Sequence, residues 1–237
     1  MPPDDFRVKS PVLLWILALA IAGSAGSAPE GPPYYLVFLR PNPNRIPLRV
    51  ELREAIMAQH MANIQRMADE GILAAAGPMD DPTPTISGIF ILKADSLEAA
   101  RAIAARDPTV VANRNTVDVH AWRGPEGIGD GYFKWKRDNP GAKDVMAARA
   151  FCILEKAPNA SGWRPDDTAF IETVRASGAL LAAGRVEGEP VIVGIIIFKT
   201  ASADEAARIL AKDPAVASGR FQAEFHNWWT ADRVMPW

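Results

Sequence analysis

An α+β fold of two joined units, each with the element order β-α-β-β-α-β and an antiparallel sheet, is predicted by three observations. First, one stretch of the chain occurs twice: "ADEGILAAAGPM" around Gly71 recurs as "RASGALLAAGRV" around Gly178, "ARDPTVVA" as "AKDPAVAS", and "VDVHAW" as "AEFHNW". The order is kept and only the loops change length, which is the mark of an internal duplication. Second, within each copy, β-rich apolar runs alternate with segments whose apolar residues keep helical spacing. Third, "IFIL" and "VIVGIIIF" are apolar at consecutive positions, so both faces of that strand need cover.

The elements of the first copy follow in order. "YYLVFL" (34–39) is a strand, closed by the turn-rich "RPNPN", whose Pro43-Asn44 pairs with Pro158-Asn159 of the second copy. A helix is expected over 48–70, with Leu52, Ile56, Ile64 and Met67 at 3-4 spacing and Gly71 as its stop. "ILAAAGPM" is a second strand, "DDPTPT" a turn, and 87–94 a third strand. Asp95 or Ser96 caps a second helix that ends near Arg106, and a last strand runs over 110–122. In the second copy Ser202 and Glu205 have capping-box spacing. Each unit (33–123 and 148–230) is thus ferredoxin-like. Helices cover one face of each sheet, and the other copy's sheet is the available cover for the second face. The expected product is a pseudo-symmetric two-unit barrel or sandwich. Between the units, 124–147 is a Gly/Pro/charge-rich linker whose Tyr132, Phe133 and Trp135 suit packing onto a surface.

Residues 1–28 are different in kind. Arg7 and Lys9 precede an apolar run from Val12 to Ala22, and small residues follow to Ala28. This is the pattern of a secretory signal peptide, and the run is about half the roughly 20 residues of a spanning helix. The expectation is a periplasmic or secreted protein with no stable membrane insertion once the segment is removed; the alternative is an uncleaved anchor. The single cysteine, Cys152, excludes an intrachain disulfide and suits a bacterial periplasm. It lies in the apolar "AFCIL", where a small buried hydrophobe is expected before a nucleophile.

A formal net charge of −2 over 237 residues leaves no basic footprint for nucleic acid. Nucleotide loops, H-E-x-x-H and paired cysteines are absent from the sequence, so no motif supports a metal site or a cofactor. The candidates are histidines and their carboxylate neighbours. His60 is four residues from both Ile56 and Ile64, on the stripe that faces the sheet. It is either a core histidine with one hydrogen bond or a general acid/base. Asp107 precedes a proline in both copies, as a helix exit or as a carboxylate that orients an imidazole. His120 with Trp122, and His226 with Trp228, share a strand face and are ligand-pocket candidates; a strand-end rim is the other reading. Asp167 stands where the second copy should have its histidine, and most simply meets a helix N-terminus.

The helical histidine followed by "EGILAAAGPM", the later "SLEAARAIAARDPTV" and the closing strand to Trp122 resemble the YCII-related family, over 34–122 closely and over 148–229 more weakly. The resemblance implies the dimeric α+β barrel superfamily and a histidine–aspartate pair between helix and sheet, His60 and Asp107 here. A dehydrochlorinase acting on a chlorinated hydroxyquinol is the kind of enzyme placed in that family. The resulting expectation is a protein that binds a small ring-containing molecule, with His/Asp proton transfer in an isomerisation or elimination. The alternative is a non-catalytic small-molecule-binding or assembly module. The expected assembly is a monomer with an intrachain pseudo-dimer, or a homo-oligomer.

Overall fold

The computed structural model describes residues 33–82 and 84–237; the signal-peptide expectation for 1–28 lies outside them. The first unit comprises β1 (Tyr34–Pro41), α1 (Val50–Asp69), β2 (Leu73–Pro78), β3 (Gly88–Leu92), α2 (Leu97–Ala104), α3 (Pro108–Val111) and β4 (Asn115–Arg123). After α4 (Asp130–Asp138), the second unit repeats the order with β5 (Met146–Lys156), α5 (Pro165–Ala176), β6 (Leu180–Glu187), β7 (Ile192–Phe198), α6 (Ala203–Leu210), α7 (Pro214–Ala217) and β8 (Phe221–Ala231). Gly71 and Gly178 close the first helix of each copy at φ 72° and 76°, a conformation glycine adopts without steric cost.

Every pairing is antiparallel, and the order is β2-β3-β1-β4-β6-β7-β5-β8. Each half has the ferredoxin-like order, but the two sheets do more than face each other. β4 pairs β6 at Trp122↔Val186, and an isolated bridge joins Met79 to Trp228 at the opposite edge. The edges therefore meet at two seams related by the duplication, and the eight strands close into a barrel. Closure removes the unpaired strand edges that open sheets must protect.

The doubly apolar third strands sit where such residues are needed. Ile89, Ile91, Ile195 and Ile197 point into the barrel with Leu36, Phe38, Phe151 and Ile153. Phe90 and Leu92 point outward under α1 and α2, and Ile196 and Phe198 under α5 and α6; all are buried. Fully burying one such side chain contributes roughly 1.5–3 kcal/mol. Trp122 and Trp228 close the barrel interior and are fully buried. The Trp122 indole donates to Gly184 O at 3.1 Å. Only glycine fits the seams: a Cβ on Gly184 would lie 1.9 Å from Arg123 O, and one on Gly77 1.7 Å from Trp229 O.

Three local expectations change. The last strand begins at Asn115, because Asp107 caps a further short helix with Pro108 in its first turn and carries Val110 and Val111 into it. The N-terminal part of α1 is not packed as the apolar spacing implies: Val50, Leu52 and Met57 are about half exposed. The linker contains a helix, α4, preceded by the fully buried Ile128, whose N–H donates to the Tyr34 hydroxyl at 3.2 Å.

Each seam also carries a buried histidine. His120 on β4 has Asp118 of its own strand 3.0 Å from Nε2 and Glu189, from the loop between β6 and β7, 3.0 Å from Nδ1. Neither oxygen lies along an N–H direction, so these are charge contacts more than directed hydrogen bonds. Burial pushes the imidazole down, but the two carboxylates outweigh it and hold its pKa above the ordinary 6.5. Arg40, 3.4 Å from Asp118, is the cation beside this cluster. A raised histidine pKa adds stability that is fully present below the unfolded value and is lost as pH rises through the folded one. The thermal midpoint is therefore expected to fall as pH is raised above 6.5, and His120→Gln should flatten that slope. Equal slopes in the two proteins would show that the clamp contributes nothing.

Candidate functional site

The first copy builds a polar chain from the inside outward. Asp107 is fully buried at the start of α3. Its carboxylate accepts from Thr109 N at 3.0 Å, Thr109 Oγ1 at 2.6 Å and Asn63 Nδ2 at 3.1 Å. The fourth partner is His60, whose Nδ1 lies 2.7 Å from Oδ2 and 2.9 Å from Oδ1. Burial pushes the Asp107 carboxyl up, but the bonds from His60 and Thr109 and the His60 charge hold it below its ordinary 3.8. Its ionised form thus adds stability above the ordinary carboxylate range, lost as pH falls through the lowered value. The chain continues: Asn115 Nδ2 donates to Thr109 Oγ1 at 3.0 Å, and Ser87 Oγ donates to Asn115 Oδ1 at 3.1 Å.

This arrangement sets the imidazole. An anionic Asp107 against Nδ1 requires the proton on Nδ1, which leaves the Nε2 lone pair for a reacting group. The His60 ring packs on Phe90, with centroids 5.8 Å apart, and its side chain is 12% exposed. Among the described residues, no protein group bonds Nε2. The ring lines a cavity of about 360 Å³ between α1, β2 and β3. Its apolar wall includes Leu39, Met57, Met61, Ile64 and Phe90, and its polar wall is His60, Ser87, Thr109 and Asn115. Met146 and Ala231 of the second unit complete it. A second cavity of about 500 Å³ adjoins it through Met61, Ile64, Ala76 and Ala231 and runs under α4, where Tyr132 and Lys136 both bond Asp144. Burial and Asp144 push the Tyr132 phenol up to about 12.

The second copy keeps the backbone and loses the site. Asp167, in the place of His60, is buried in the first turn of α5, accepts from Arg164 N at 2.7 Å and pairs with Arg220. It is a buried ion-pair member and not only a helix-end charge. Asp213, in the place of Asp107, still caps its short helix through Ala215 N at 2.7 Å. Burial raises its carboxyl, and with the Asp167 charge it outweighs the bonds from Ala215 N and Val216 N and the Arg220 charge. The rest of the chain turns apolar: Ser87, Thr109 and Asn115 correspond to Val193, Ala215 and Phe221, all buried. Trp163 stacks beside Phe221 and covers Gly194, the counterpart of the cavity-lining Gly88; a Cβ there would lie 2.6 Å from the Trp163 ring.

Of the sequence candidates, His60 and Asp107 are brought together, while His120, Trp122, His226 and Trp228 are not at this cavity. All four are buried at the seams, where the tryptophans fill the barrel and His226 meets Asp81 at 2.8 Å. Neighbouring strand positions here serve closure, so the shared face of His and Trp points into protein. Cys152 is fully buried, and burial raises its thiol. Sequence reading missed Asn63, Thr109, Asn115 and Ser87. Comparing the copies position by position finds them, because each is polar in the first and apolar in the second (Asn63 corresponds to Phe170). Among the described residues, no cluster of three metal-ligating side chains occurs.

The YCII-related domain model matches residues 34–123. An uncharacterized protein of Haemophilus influenzae is 35% identical over 86 residues, 33% of this chain and 84% of that protein. Protein YciI of Escherichia coli O6:H1 is 35% identical over 85 residues, 33% of this chain and 83% of that protein. Among solved structures, a chlorite dismutase variant from Candidatus Nitrospira defluvii in complex with cyanide superposes with a TM-score of 0.52 at 12% identity, over 82% of this chain and 90% of that one. A second variant of that enzyme gives 0.52 at 13% identity, over 84% and 92%. At such identity these structures show the barrel fold alone. The sequence relatives carry the assignment, and the chain belongs to the YCII-related family.

Proposed function

We propose that the first unit binds a small, flat, largely apolar molecule in the 360 Å³ cavity and that His60 moves a proton on it. The observation that carries this reading is the His60–Asp107 pair: a buried carboxylate fixes Nδ1, while the same ring lines an apolar cavity with Nε2 unpartnered among the described residues. Apolar walls around one titratable group suit a ring that loses and regains a proton, as in an isomerisation or an elimination from an activated ring. Ser87, Thr109 and Asn115 supply hydroxyl and amide groups that can orient a polar substituent. The second unit is scaffold in this account, because its equivalent pocket holds Trp163 and Phe221 and its dyad position holds an ion pair. The rival reading, a binding module without catalysis, keeps the cavity and gives His60 only a hydrogen-bonding role.

The two readings separate by proton exchange. Incubation in deuterium oxide with a panel of phenols, quinols and cyclic ketones should show protein-dependent loss of ring or α-proton signals for some member. His60→Gln should lower that rate by about a hundredfold or more. Its cost in stability should stay at roughly 1–3 kcal/mol, the loss of one hydrogen bond to a carboxylate that keeps Thr109 and Asn63 as donors. Asp107→Asn keeps the helix cap and removes the charge, and should also lower the rate. Exchange unaffected by either substitution, or binding with no exchange in the wild type, overturns the catalytic reading.

We also propose export, on the basic, apolar and small-residue pattern of residues 7–28. Among the described residues, no helix is long and apolar enough to cross a membrane. Mass spectrometry of the protein from its native host should find a mature N-terminus within a few residues of Pro29. A full-length cytosolic species would refute export.

A further inference from the structure

We propose that His226, in the unit that lacks the dyad, is a positioning residue for the His60 cavity: it holds the loop between β2 and β3 whose two ends form the cavity rim. This rests on reading the His60 cavity as the site.

The rim residues are Gly77 and Pro78 at the end of β2, and Ser87 and Gly88 at the start of β3. The first half of the loop is tied to β8 of the other unit. His226 Nδ1 lies 2.8 Å from Asp81 Oδ2, Asn227 N donates to Asp81 Oδ1 at 2.8 Å, and Asp80 N donates to Asn227 O at 2.8 Å. The loop then returns to the first unit at Ser87, whose carbonyl accepts from Met79 N at 3.1 Å. From Ser87 the side-chain bonds run to Asn115, Thr109, Asp107 and His60. One connected path thus leads from a buried histidine of the second unit to the dyad of the first. Without the His226 bond, Asp81 keeps one backbone donor and the loop has less to fix its register against β8. A shift of Ser87 is then felt at Asp107, the group that sets the His60 tautomer.

The duplication supplies the control. His120 makes the corresponding contact to Glu189, on the loop that frames the filled pocket of the second unit. Loss of either contact loosens one seam, but only the His226 contact leads to the cavity.

The test uses diethyl pyrocarbonate, which acylates an unprotonated imidazole nitrogen, on the full chain, with His60 read by peptide mapping. Four variants are compared with wild type, each with its thermal midpoint: His226→Gln, His226→Asn, His120→Gln and Asp107→Asn. The asparagine amide nitrogen falls where Nδ1 lies and keeps the donor to Asp81; glutamine places its donor further out. The expected result is a fall of about fivefold or more in the His60 rate for His226→Gln, recovery in His226→Asn, and no change in His120→Gln at a comparable loss of midpoint. An equal fall in His226→Gln and His120→Gln, or no fall in His226→Gln while Asp107→Asn lowers the rate, overturns the positioning role alone. An unchanged rate in Asp107→Asn overturns the dyad reading, and the proposal with it.

Discussion

Closure of the barrel is the constraint on which the rest depends. The third strand of each copy is apolar on both faces, and neither face can be left in water. Helices cover the outer faces through Phe90, Leu92, Ile196 and Phe198, and the inner faces cover each other. Facing sheets still have edges, and the chain removes them by joining β4 to β6 and β2 to β8. That requirement explains the glycines at 77 and 184, which let backbone approach backbone, and the two tryptophans that fill the ends of the interior. Duplication makes the contact intramolecular, so one unit always has the other at high effective concentration.

With closure secured by both copies, the outer pockets are free to differ. In the first copy a hydrogen-bond chain runs from Ser87 to His60 beside a cavity. In the second, the equivalent positions are filled by Val193, Ala215 and Phe221, with Trp163 over Gly194. Cavities and half-satisfied polar groups cost stability, so a pocket without a task gains by being packed. Asp213 stays in both roles' shared part, the helix cap, which is structural. The Asp at position 107 therefore does two things, and only one of them is kept in the second copy. The retained histidines at 120 and 226 belong to the seams and not to the pockets, which is why both copies have them.

Much of the fold was legible because its determinants are local or repeated. The Gly71 and Gly178 stops, the Asp-Pro steps and the doubly apolar strands each have a direct physical reading. The short helix after Asp107 was missed because β-branched Val110 and Val111 favour a strand, while the cap and Pro108 decide otherwise. His60 and Asp107 were paired through family resemblance; spacing alone placed them 47 residues apart. The clamps at His120 and His226 had no sequence signal, since Glu189 and Asp81 arrive from the other copy, Asp81 being 145 residues from His226. The shared face of His and Trp was read correctly as a face, but strand alternation does not say whether that face meets solvent, ligand or a second sheet.

The two copies are halves of one closed barrel, and the second lends Met146 and Ala231 to the cavity of the first. Separating them tests this most directly. Residues 33–123 produced alone, and studied by sedimentation and thermal melting, should either self-associate into a dimer that rebuilds the seams or fail to fold cooperatively. A monomeric first unit that melts as cooperatively as the whole chain, with its inner face in water, would contradict the account.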